Sequence, residues 1–206
     1  MDLFMMCENL NKNAFSELPD GYYFRNLRTD EFEAWKDLQC VDNMDQRDAY
    51  HAVYDEYYKN AYEPKGDLFF NNCVMVCDKD DKFVGSLTFW KSYDKFNTLG
   101  WFGVAQAFEG RGIGRALISH VMGKLSNSEY PVFLHTHPSS YRAIKLYSDF
   151  GFRLITDKKV GKRNNDLDEC MPMLKQDMPA KDFANLQTAR APQFFLDAAD
   201  STSESF

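Results

Sequence analysis

Short apolar runs separated by polar turns dominate the first half of the chain. Residues 22–27 alternate aromatic and polar side chains, as a half-buried strand does. Three further strands are predicted over 67–77, 83–90 and 97–104, because turn-forming residues separate these apolar runs. Consecutive strands with short connections favour an antiparallel meander. Between the first strand and this meander, tyrosines recur at four-residue intervals over 45–62, which predicts a helix whose aromatic side chains form a core or line a substrate cleft.

The period of the apolar positions changes after residue 104. Ile113, Leu117, Val121 and Leu125 follow helical spacing, and a short apolar segment at 131–137 predicts the next strand. Parallel strands need a crossover connection, which is usually a helix. The strand that ends at residue 104 is therefore predicted to pair in parallel with the strand at 131–137.

The remaining pattern completes one mixed fold. A helix over 140–150 is predicted, followed by a closing pair of strands at 152–155 and 168–174. The fold class is α/β (mixed α+β), with a largely antiparallel central sheet that contains one parallel strand pair and is flanked by helices. We expect a single domain over residues 1–178 and a C-terminal extension over 179–206.

The C-terminal extension is mostly polar but carries several large apolar side chains. Burying one such side chain contributes roughly 1.5–3 kcal/mol, so we expect residues 194–196 to pack against the domain or a dimer partner. Pro192 interrupts any helix there, which predicts one short helix from about residue 180 and another turn at 193–199. Residues 201–206 are expected to be mobile. A wholly disordered tail is the alternative.

Composition and charge narrow the class of protein. A chain that is 44% hydrophobic and 16% aromatic has enough apolar material for a core, which excludes wholesale disorder. The net charge of −7 repels phosphate backbones and argues against nucleic-acid binding. No apolar run approaches the ~20 residues of a membrane span. The first residues lack a basic segment followed by an apolar one, so we expect a cytoplasmic protein without an export signal.

Cysteine usage agrees with a reducing compartment. The 5 cysteines are odd in number and widely spread, which favours free thiols over a disulfide framework. Cys73 and Cys77 form a C-x3-C pattern that indicates either a metal or redox pair or one buried face of a strand. The buried face is favoured, because no second pair of cysteines or histidines has matching ligand spacing.

The strongest chemical signal lies in residues 104–115, between a predicted strand and a predicted helix. Gly110, Gly112 and Gly114 fall within five residues there. Glycines let backbone N–H groups approach a ligand closely, and a helix N-terminus adds the positive end of its dipole. This pattern predicts a site for phosphate or pyrophosphate, with a glycine-rich turn that binds no ligand as the alternative.

The spacing of these glycines excludes two common phosphate-binding motifs. A dinucleotide fingerprint would need glycine at position 115 or 117, where the chain has Arg115 and Leu117. A P-loop would need Gly-Lys at positions 115 and 116, where the chain has Arg-Ala.

Two segments resemble motifs of the GCN5-related N-acetyltransferases. Residues 109–114 occupy the places of the family's acyl-CoA motif Q/R-x-x-G-x-G/A, with Val104 at the end of the preceding strand. Residues 140–152 resemble the second motif, N-x-x-A-x-x-L-Y-x-x-x-G-F. Glu109 stands where the family has Gln or Arg, and Ser140 stands where it has Asn. The resemblance spans roughly residues 20–175.

The resemblance implies acetyl-CoA as the acyl donor and no metal. The residues it assigns to acetyl-CoA binding are Val104, Gln106, Gly110, Arg111, Gly112, Ile113, Gly114, Arg115 and Ser140. Backbone N–H groups near Val104 are implied to polarise the thioester carbonyl. Tyr147 matches the family tyrosine near the leaving sulfur and is assigned as the general acid, with an ordinary buried aromatic residue as the alternative.

The function that the resemblance implies is transfer of an acetyl group from acetyl-CoA to a primary amine, by direct attack in a ternary complex. We expect a small-molecule amine, since the acidic chain attracts cationic acceptors. The general base stays open among His135, His137, Asp94 and water. The alternatives are a protein or peptide N-acetyltransferase and a non-catalytic acyl-CoA-binding module. Partners other than these substrates are not expected, except that a homodimer stays open.

Overall fold

A computed structural model describes residues 1–200, which form ten strands and eight α-helices joined by short 3-10 and π turns. The strands are β1 (Leu3–Cys7), β2 (Tyr22–Asn26), β3 (Cys73–Asp78), β4 (Phe83–Ser92), β5 (Phe96–Val104), β6 (Val132–Thr136), β7 (Arg153–Ile155), β8 (Lys159–Val160), β9 (Arg163–Asn164) and β10 (Thr188–Ala189). The helices are α1 (Phe32–Gln39), α2 (Arg47–Tyr57), α3 (Leu68–Asn72), α4 (Ile113–Met122), α5 (Tyr141–Asp149), α6 (Leu167–Asp177), α7 (Ala180–Ala184) and α8 (Gln193–Asp200).

The chain divides into two compact units that are interleaved along the sequence. The first unit comprises Met1–Phe15, Lys91–Leu99 and the residues from Leu125 onward. The second comprises Ser16–Trp90 and Gly100–Lys124. The expected division into residues 1–178 and an extension over 179–206 stays a prediction.

In the first unit, β1 lies between two antiparallel neighbours, β6 and β7. β5 pairs in parallel with β6, with Asn97 opposite Val132 and Leu99 opposite Leu134. A second, shorter parallel pair joins β7 to β10. The predicted parallel pairing across the connecting helix is therefore confirmed.

In the second unit, β3 pairs antiparallel with β2 on one side and with β4 on the other. Gly85 on β4 permits a close approach of β5, because a Cβ there would lie 3.0 Å from the carbonyl oxygen of Gly103. Within the units the strands pair mainly antiparallel, the first unit contains the predicted parallel pair, and helices flank the strands. The mixed α/β fold class is confirmed.

Two predicted strands are helical in part or in full. Within 67–77 only the second half is a strand, because α3 turns the adjacent rings of Phe69 and Phe70 into the same core. Residues 168–174 lie in α6, whose buried residues Leu167, Cys170 and Leu174 follow helical spacing. The strand predicted over 152–155 is confirmed as β7, whereas the strand predicted over 168–174, and with it the closing pair, was wrong.

Sequence reasoning missed β1 altogether. Its five residues are all buried, as expected for a strand whose two faces are both covered. The signal was the apolar run at residues 3–7, which is long enough for a buried strand.

All five cysteines are buried free thiols. Burial raises the pKa of Cys73 to about 12 and that of Cys77 to about 11, so both stay protonated at neutral pH. Cys73 and Cys77 lie with Met75 in the core of the second unit. The C-x3-C pattern is thus one buried face of β3.

The C-terminal helices form as predicted around an aromatic contact. Phe195 is 0% exposed and its ring stacks on Phe133 at 3.8 Å between centroids, within the first unit. Leu196 is half-buried, whereas Phe194 is 53% exposed. Phe195 therefore packs within the first unit, whereas Phe194 makes an edge contact with the Phe133 ring and stays mostly exposed. The mobility expected for residues 201–206 concerns residues outside the described part of the chain.

No helix within residues 1–200 combines the length and apolarity that crossing a membrane requires.

Phe195→Ala is expected to destabilise the protein strongly, because it empties a closed aromatic core. The free energy of unfolding should fall by about 3–5 kcal/mol in denaturant titrations. Phe194→Ala removes a neighbouring ring of the same size that is largely exposed, and should cost less than about 1 kcal/mol. Equal losses for the two variants would contradict the packing of α8.

Candidate active site

The glycine-rich segment begins where β5 ends, and hydrogen bonds fix its first residues. Ala105 N–H donates to the Val84 carbonyl oxygen at 2.9 Å. Gln106 N–H donates to the Asp42 carboxylate, at 3.2 and 3.3 Å from its two oxygens. A 3-10 turn over Gln106–Phe108 then leads into the loop. The start of the loop is therefore held by β4 and by the segment between α1 and α2.

Two glycines give the loop its conformation. Gly110 has a φ of +74° and Gly112 a φ of +85°, both in the left-handed region that favours glycine. A Cβ at Gly110 would meet nothing within 4 Å, and one at Gly112 would meet only Pro19, at 3.9 Å. Glycine is therefore favoured at these two positions by the backbone conformation, since neighbouring atoms leave space for a Cβ.

The N-terminus of α4 presents backbone donors beside this loop. Ala116 N–H donates to the Gly112 carbonyl oxygen at 3.0 Å, which closes the first turn of the helix. The N–H groups of Ile113 and Gly114 precede that bond and have no acceptor within the helix. Together with the positive end of the helix dipole, they suit a phosphate or pyrophosphate group. The donor set therefore fits the diphosphate of acetyl-CoA.

Two arginines add positive charge to the segment. Arg111 is exposed and donates to the Tyr22 hydroxyl at 3.1 Å and to the Ala107 carbonyl oxygen at 3.0 Å. Its guanidinium also lies 5.1 Å from the centroid of the Phe108 ring. Arg115 is half-buried in the first turn of α4. Glu109 is exposed.

An aromatic cluster lies in the same unit as the loop and is centred on Trp101 of β5. Its members are Trp35, Tyr54, Tyr57, Tyr62 and Trp101. The ring of Trp101 lies 5.3 Å from Trp35 and from Tyr57, and 5.5 Å from Tyr54. Trp101 Nε1 donates to the Tyr62 hydroxyl at 2.7 Å. Trp101 and Tyr57 are only half-buried, so the cluster has a solvent-facing edge.

The backbone at Trp101 is held in a conformation that bulky residues rarely adopt, with a φ of +52°. Ser86 Oγ donates to the Trp101 carbonyl oxygen at 2.9 Å, and Gln39 Nε2 donates to Ser86 Oγ at 2.8 Å. Strained backbone of this kind often marks a functional position. Sequence reasoning did not single out Trp101, although the tyrosines of α2 were a signal for an aromatic site.

Two tyrosines of the aromatic cluster, Tyr54 and Tyr62, stay protonated at neutral pH. Burial raises the pKa of Tyr54 to about 12 and holds that of Tyr62 well above its ordinary value. These hydroxyls therefore donate or accept hydrogen bonds but do not act as general bases.

The segment that resembles the second family motif, residues 140–152, lies in the first unit. Tyr147 is buried on α5 with its ring 5.7 Å from Phe152, and burial raises the pKa of its phenol. A phenol that stays protonated meets the first requirement for a proton donor. Ser140 is half-buried directly before α5. Gly151 follows the helix with a φ of +95°, and a Cβ there would lie 2.6 Å from the Asn9 carbonyl oxygen.

The candidate bases also belong to the first unit. His135 Nε2 lies 2.7 Å from the Arg163 guanidinium and 3.1 Å from Asp2 Oδ1. Burial and the charge of Arg163 lower the pKa of His135 to about 4. His137 is exposed, and its Nδ1 lies 3.0 Å from the Met1 carbonyl oxygen. Asp94 is exposed in the turn between β4 and β5.

Eight of the residues predicted to bind acetyl-CoA lie on one continuous segment, from the end of β5 to the first turn of α4. They are Val104, Gln106, Gly110, Arg111, Gly112, Ile113, Gly114 and Arg115, all in the second unit. Ser140 and Tyr147 are both placed at α5. The binding and catalytic roles of these residues stay predictions.

Comparison with known proteins gives one family match. Residues 22–152 match the model of the Acetyltransferase (GNAT) family. No curated protein matches the chain. Among solved structures, a GCN5-related N-acetyltransferase from Sphaerobacter thermophilus is 18% identical with a TM-score of 0.50, covering 69% of this chain and 46% of its own. The chain therefore spans less than half the length of that protein.

In two further solved structures, the alignment with this chain covers a larger share of the other protein. A protein from Pyrococcus horikoshii is 22% identical over 70% of this chain and 93% of its own, with a TM-score of 0.49. An acetyltransferase from Streptococcus agalactiae is 16% identical over 64% of this chain and 82% of its own, with a TM-score of 0.48.

The environment of His135 predicts a pH dependence of stability. An unfolded chain protonates His135 near pH 6.5, whereas the folded chain does so only near pH 4. The unfolded state therefore binds more protons in this window, and the free energy of unfolding should fall by about 1–3 kcal/mol between pH 6.5 and 4. In urea titrations at several pH values, His135→Gln should flatten this slope.

His137→Gln is the matched control, because His137 is exposed on the same strand end. It should keep the slope of the wild type. A slope that is unchanged in His135→Gln would show that another group carries the pH dependence.

Proposed function

Because the chain belongs to the GNAT acetyltransferase family, we propose that it transfers an acetyl group from acetyl-CoA to the primary amine of a small molecule. The observation that carries the proposal is the exposed loop at Gly110–Gly112, followed by the first amides of α4, which have no acceptor within the helix. Acetyl-CoA, when bound, supplies the acetyl group as a thioester, and transfer to an amine releases a free thiol.

The loop and the start of α4 anchor the donor. The N–H groups of Ile113 and Gly114 point toward the helix N-terminus and bind phosphate oxygens there. Glu109 stands where the family has Gln or Arg, so it adds no positive charge to the loop. Arg111 and Arg115 supply that charge instead. Arg111 has to exchange at least part of its contact with Tyr22 and Ala107 to reach a phosphate.

The residues that assist transfer are proposed from the family motifs. The family resemblance assigns polarisation of the thioester carbonyl to backbone N–H groups near Val104. The N–H groups of the next two residues are already bonded to Val84 and Asp42. Tyr147 gives its hydroxyl proton to the leaving sulfur. Ser140 contributes to donor binding at the start of α5.

The proton of the attacking amine has to leave before or during attack. The low pKa of His135 removes that residue from the candidates, because a base with a pKa of about 4 accepts a proton poorly from an ammonium group. His137, Asp94 and water remain. The proposal holds for each of them.

The acceptor is proposed to be a cationic amine. The net charge of −7 draws cations toward the protein. Aromatic faces also attract a cation placed over them, and the half-buried rings of Tyr57 and Trp101 offer such faces in the same unit as the loop. A compact amine suits this edge of the aromatic cluster better than a folded protein does.

The proposed function is tested by measuring thiol release from acetyl-CoA over a panel of polyamines, aminoglycoside-like amines and basic peptides. We expect turnover with at least one small amine. Turnover on peptides alone would indicate a protein or peptide acetyltransferase. Binding of acetyl-CoA in calorimetry with no turnover on any amine would indicate a non-catalytic binding module.

Gly114→Val is expected to weaken acetyl-CoA binding by about 10–100-fold, because the new side chain obstructs a charge-assisted hydrogen bond worth about 1.5–3 kcal/mol. Gly123→Val is the matched control, since it places the same side chain at the opposite end of α4, where Gly123 is exposed. Calorimetric titration with acetyl-CoA measures both. Equal affinities in the two variants would place the phosphates elsewhere.

Gly112→Val is a poorer probe than the sequence alone suggests. Because Gly112 has a φ of +85°, a β-branched side chain there strains the backbone and lowers stability as well as binding.

Tyr147→Phe is expected to lower kcat by about 100-fold or more while leaving KM for acetyl-CoA nearly unchanged, because it removes a proton donor and keeps the ring. Tyr141→Phe, on the same helix, should leave kcat unchanged. The melting temperature of each variant reports any structural loss. A kcat for Tyr147→Phe within threefold of the wild type would overturn the assignment of Tyr147.

A further inference from the structure

Three potential metal ligands meet where α1 ends and α2 begins. They are Asp37, Cys40 and His51, and one donor atom from each lies within 4.8 Å of the other two. Cys40 is 1% exposed and His51 is 7% exposed. All three residues belong to the second unit. A thiolate, an imidazole and a carboxylate are the ligand types that zinc takes in proteins.

The imidazole of His51 points to a missing ligand. Its Nε2 is buried and makes no hydrogen bond with the described residues, although Asp37 Oδ1 lies 2.9 Å away. The two atoms are therefore close without being aligned for a hydrogen bond. Its Nδ1 lies 3.6 Å from Glu33 Oε2 on the other side of the ring. A buried ring nitrogen without a hydrogen bond calls for an explanation such as an ion.

The thiol of Cys40 is within reach of the same point. Its Sγ lies 3.3 Å from the Lys36 carbonyl oxygen and 3.7 Å from that of Asp37, as a weak donor at the end of α1. Burial raises the pKa of this thiol, so metal binding has to release its proton to solvent.

The charged groups around the three ligands include more carboxylates than cations, which favours a divalent cation. Arg47 Nε lies 2.6 Å from Asp37 Oδ1, and Lys36 Nζ lies 2.7 Å from Glu33 and 2.6 Å from Asp55. Three carboxylates therefore face two cations. Arg47 is the direct competitor, and its side chain is 38% exposed, so it can turn into solvent.

We propose that Asp37, Cys40 and His51 form a binding site for one zinc ion, with water as the fourth ligand. Binding breaks the S–H bond of Cys40, forms a Zn–S bond, releases one proton and displaces Arg47 from Asp37. Zinc bonds of about 2.0–2.3 Å place tetrahedral ligands roughly 3.3–3.8 Å apart, so donor atoms that lie within 4.8 Å of one another have to approach by about 1.5 Å at most. No redox step is involved.

The site has a structural consequence for the loop described above. Zinc would tie the end of α1 to the first turns of α2 and so close the intervening segment, Val41–Gln46. Asp42 in that segment accepts the hydrogen bond from Gln106 at the start of the glycine-rich loop. Zinc should therefore raise the melting temperature whether or not the protein transfers acetyl groups.

A second cluster in the first unit, Asp2 with His135 and His137, serves as an internal comparison. There the Arg163 guanidinium already lies 2.7 Å from His135 Nε2 and 2.8 Å from Asp2 Oδ2. The guanidinium thus contacts both the imidazole of His135 and the carboxylate of Asp2, whereas at the proposed zinc site Arg47 contacts the carboxylate of Asp37. We expect no tight zinc binding at that cluster.

The direct test is titration of the full-length, reduced protein with Zn²⁺ in a calorimeter and with Co²⁺ in a spectrophotometer. We expect one ion per chain, release of one proton and a Co²⁺–thiolate absorption band. The Co²⁺ spectrum needs no variant. A spectrum without a thiolate band would overturn the proposal.

Variants then locate the site. Cys40→Ser and His51→Gln should each lower Zn²⁺ affinity by about 100-fold or more, whereas Arg47→Gln should raise it by removing the competing cation. Cys170→Ser and His137→Gln, which alter a buried thiol and a histidine elsewhere, should bind as the wild type does. Loss of binding in His137→Gln with retention in Cys40→Ser would also overturn the proposal.

Discussion

The parallel pairing of β5 with β6 is the constraint from which the candidate site follows. Antiparallel neighbours can be joined by a tight turn, but parallel neighbours need a crossover. The chain therefore leaves β5 at Val104 and builds α4 before it returns as β6. That route places a loop and a helix N-terminus directly after a strand, and Gly110 and Gly112 shape the loop so that the first amides of α4 face outward.

Hydrogen bonds at both ends of the glycine-rich loop hold it in place. Asp42 holds the amide of Gln106, and Ser119 on α4 accepts a hydrogen bond from the Ser16 N–H at 3.0 Å. Ser86 fixes the strained carbonyl of Trp101 upstream. Segments distant in sequence therefore brace both ends of the site, whereas Gly110, Arg111 and Gly112 stay exposed. An acidic protein thus offers backbone donors and arginines at one place for an anionic ligand.

The sequence predicted elements best where one period persists for more than two turns. The helical spacing from Ile113 and the strand before it were both found, and so was the parallel pair. The apolar residues around Phe69 and Phe70 follow neither the helical nor the strand period, so a short helix was predicted as part of a strand. The aromatic cluster around Trp101 escaped prediction, because its contacts join α1, α2 and β5 and depend on a φ that no local pattern specifies. The low pKa of His135 likewise depends on burial in the folded protein and on the charge of Arg163, which lies 28 residues along the chain.

The most direct test of the account is amide hydrogen exchange in the presence and absence of acetyl-CoA. If the loop and the start of α4 bind the phosphates, exchange at residues 110–114 should slow on addition of acetyl-CoA, because these N–H groups acquire acceptors. The effect should be largest at Ile113 and Gly114. Slower exchange elsewhere in the chain, with residues 110–114 unchanged at saturating acetyl-CoA, would contradict the central claim.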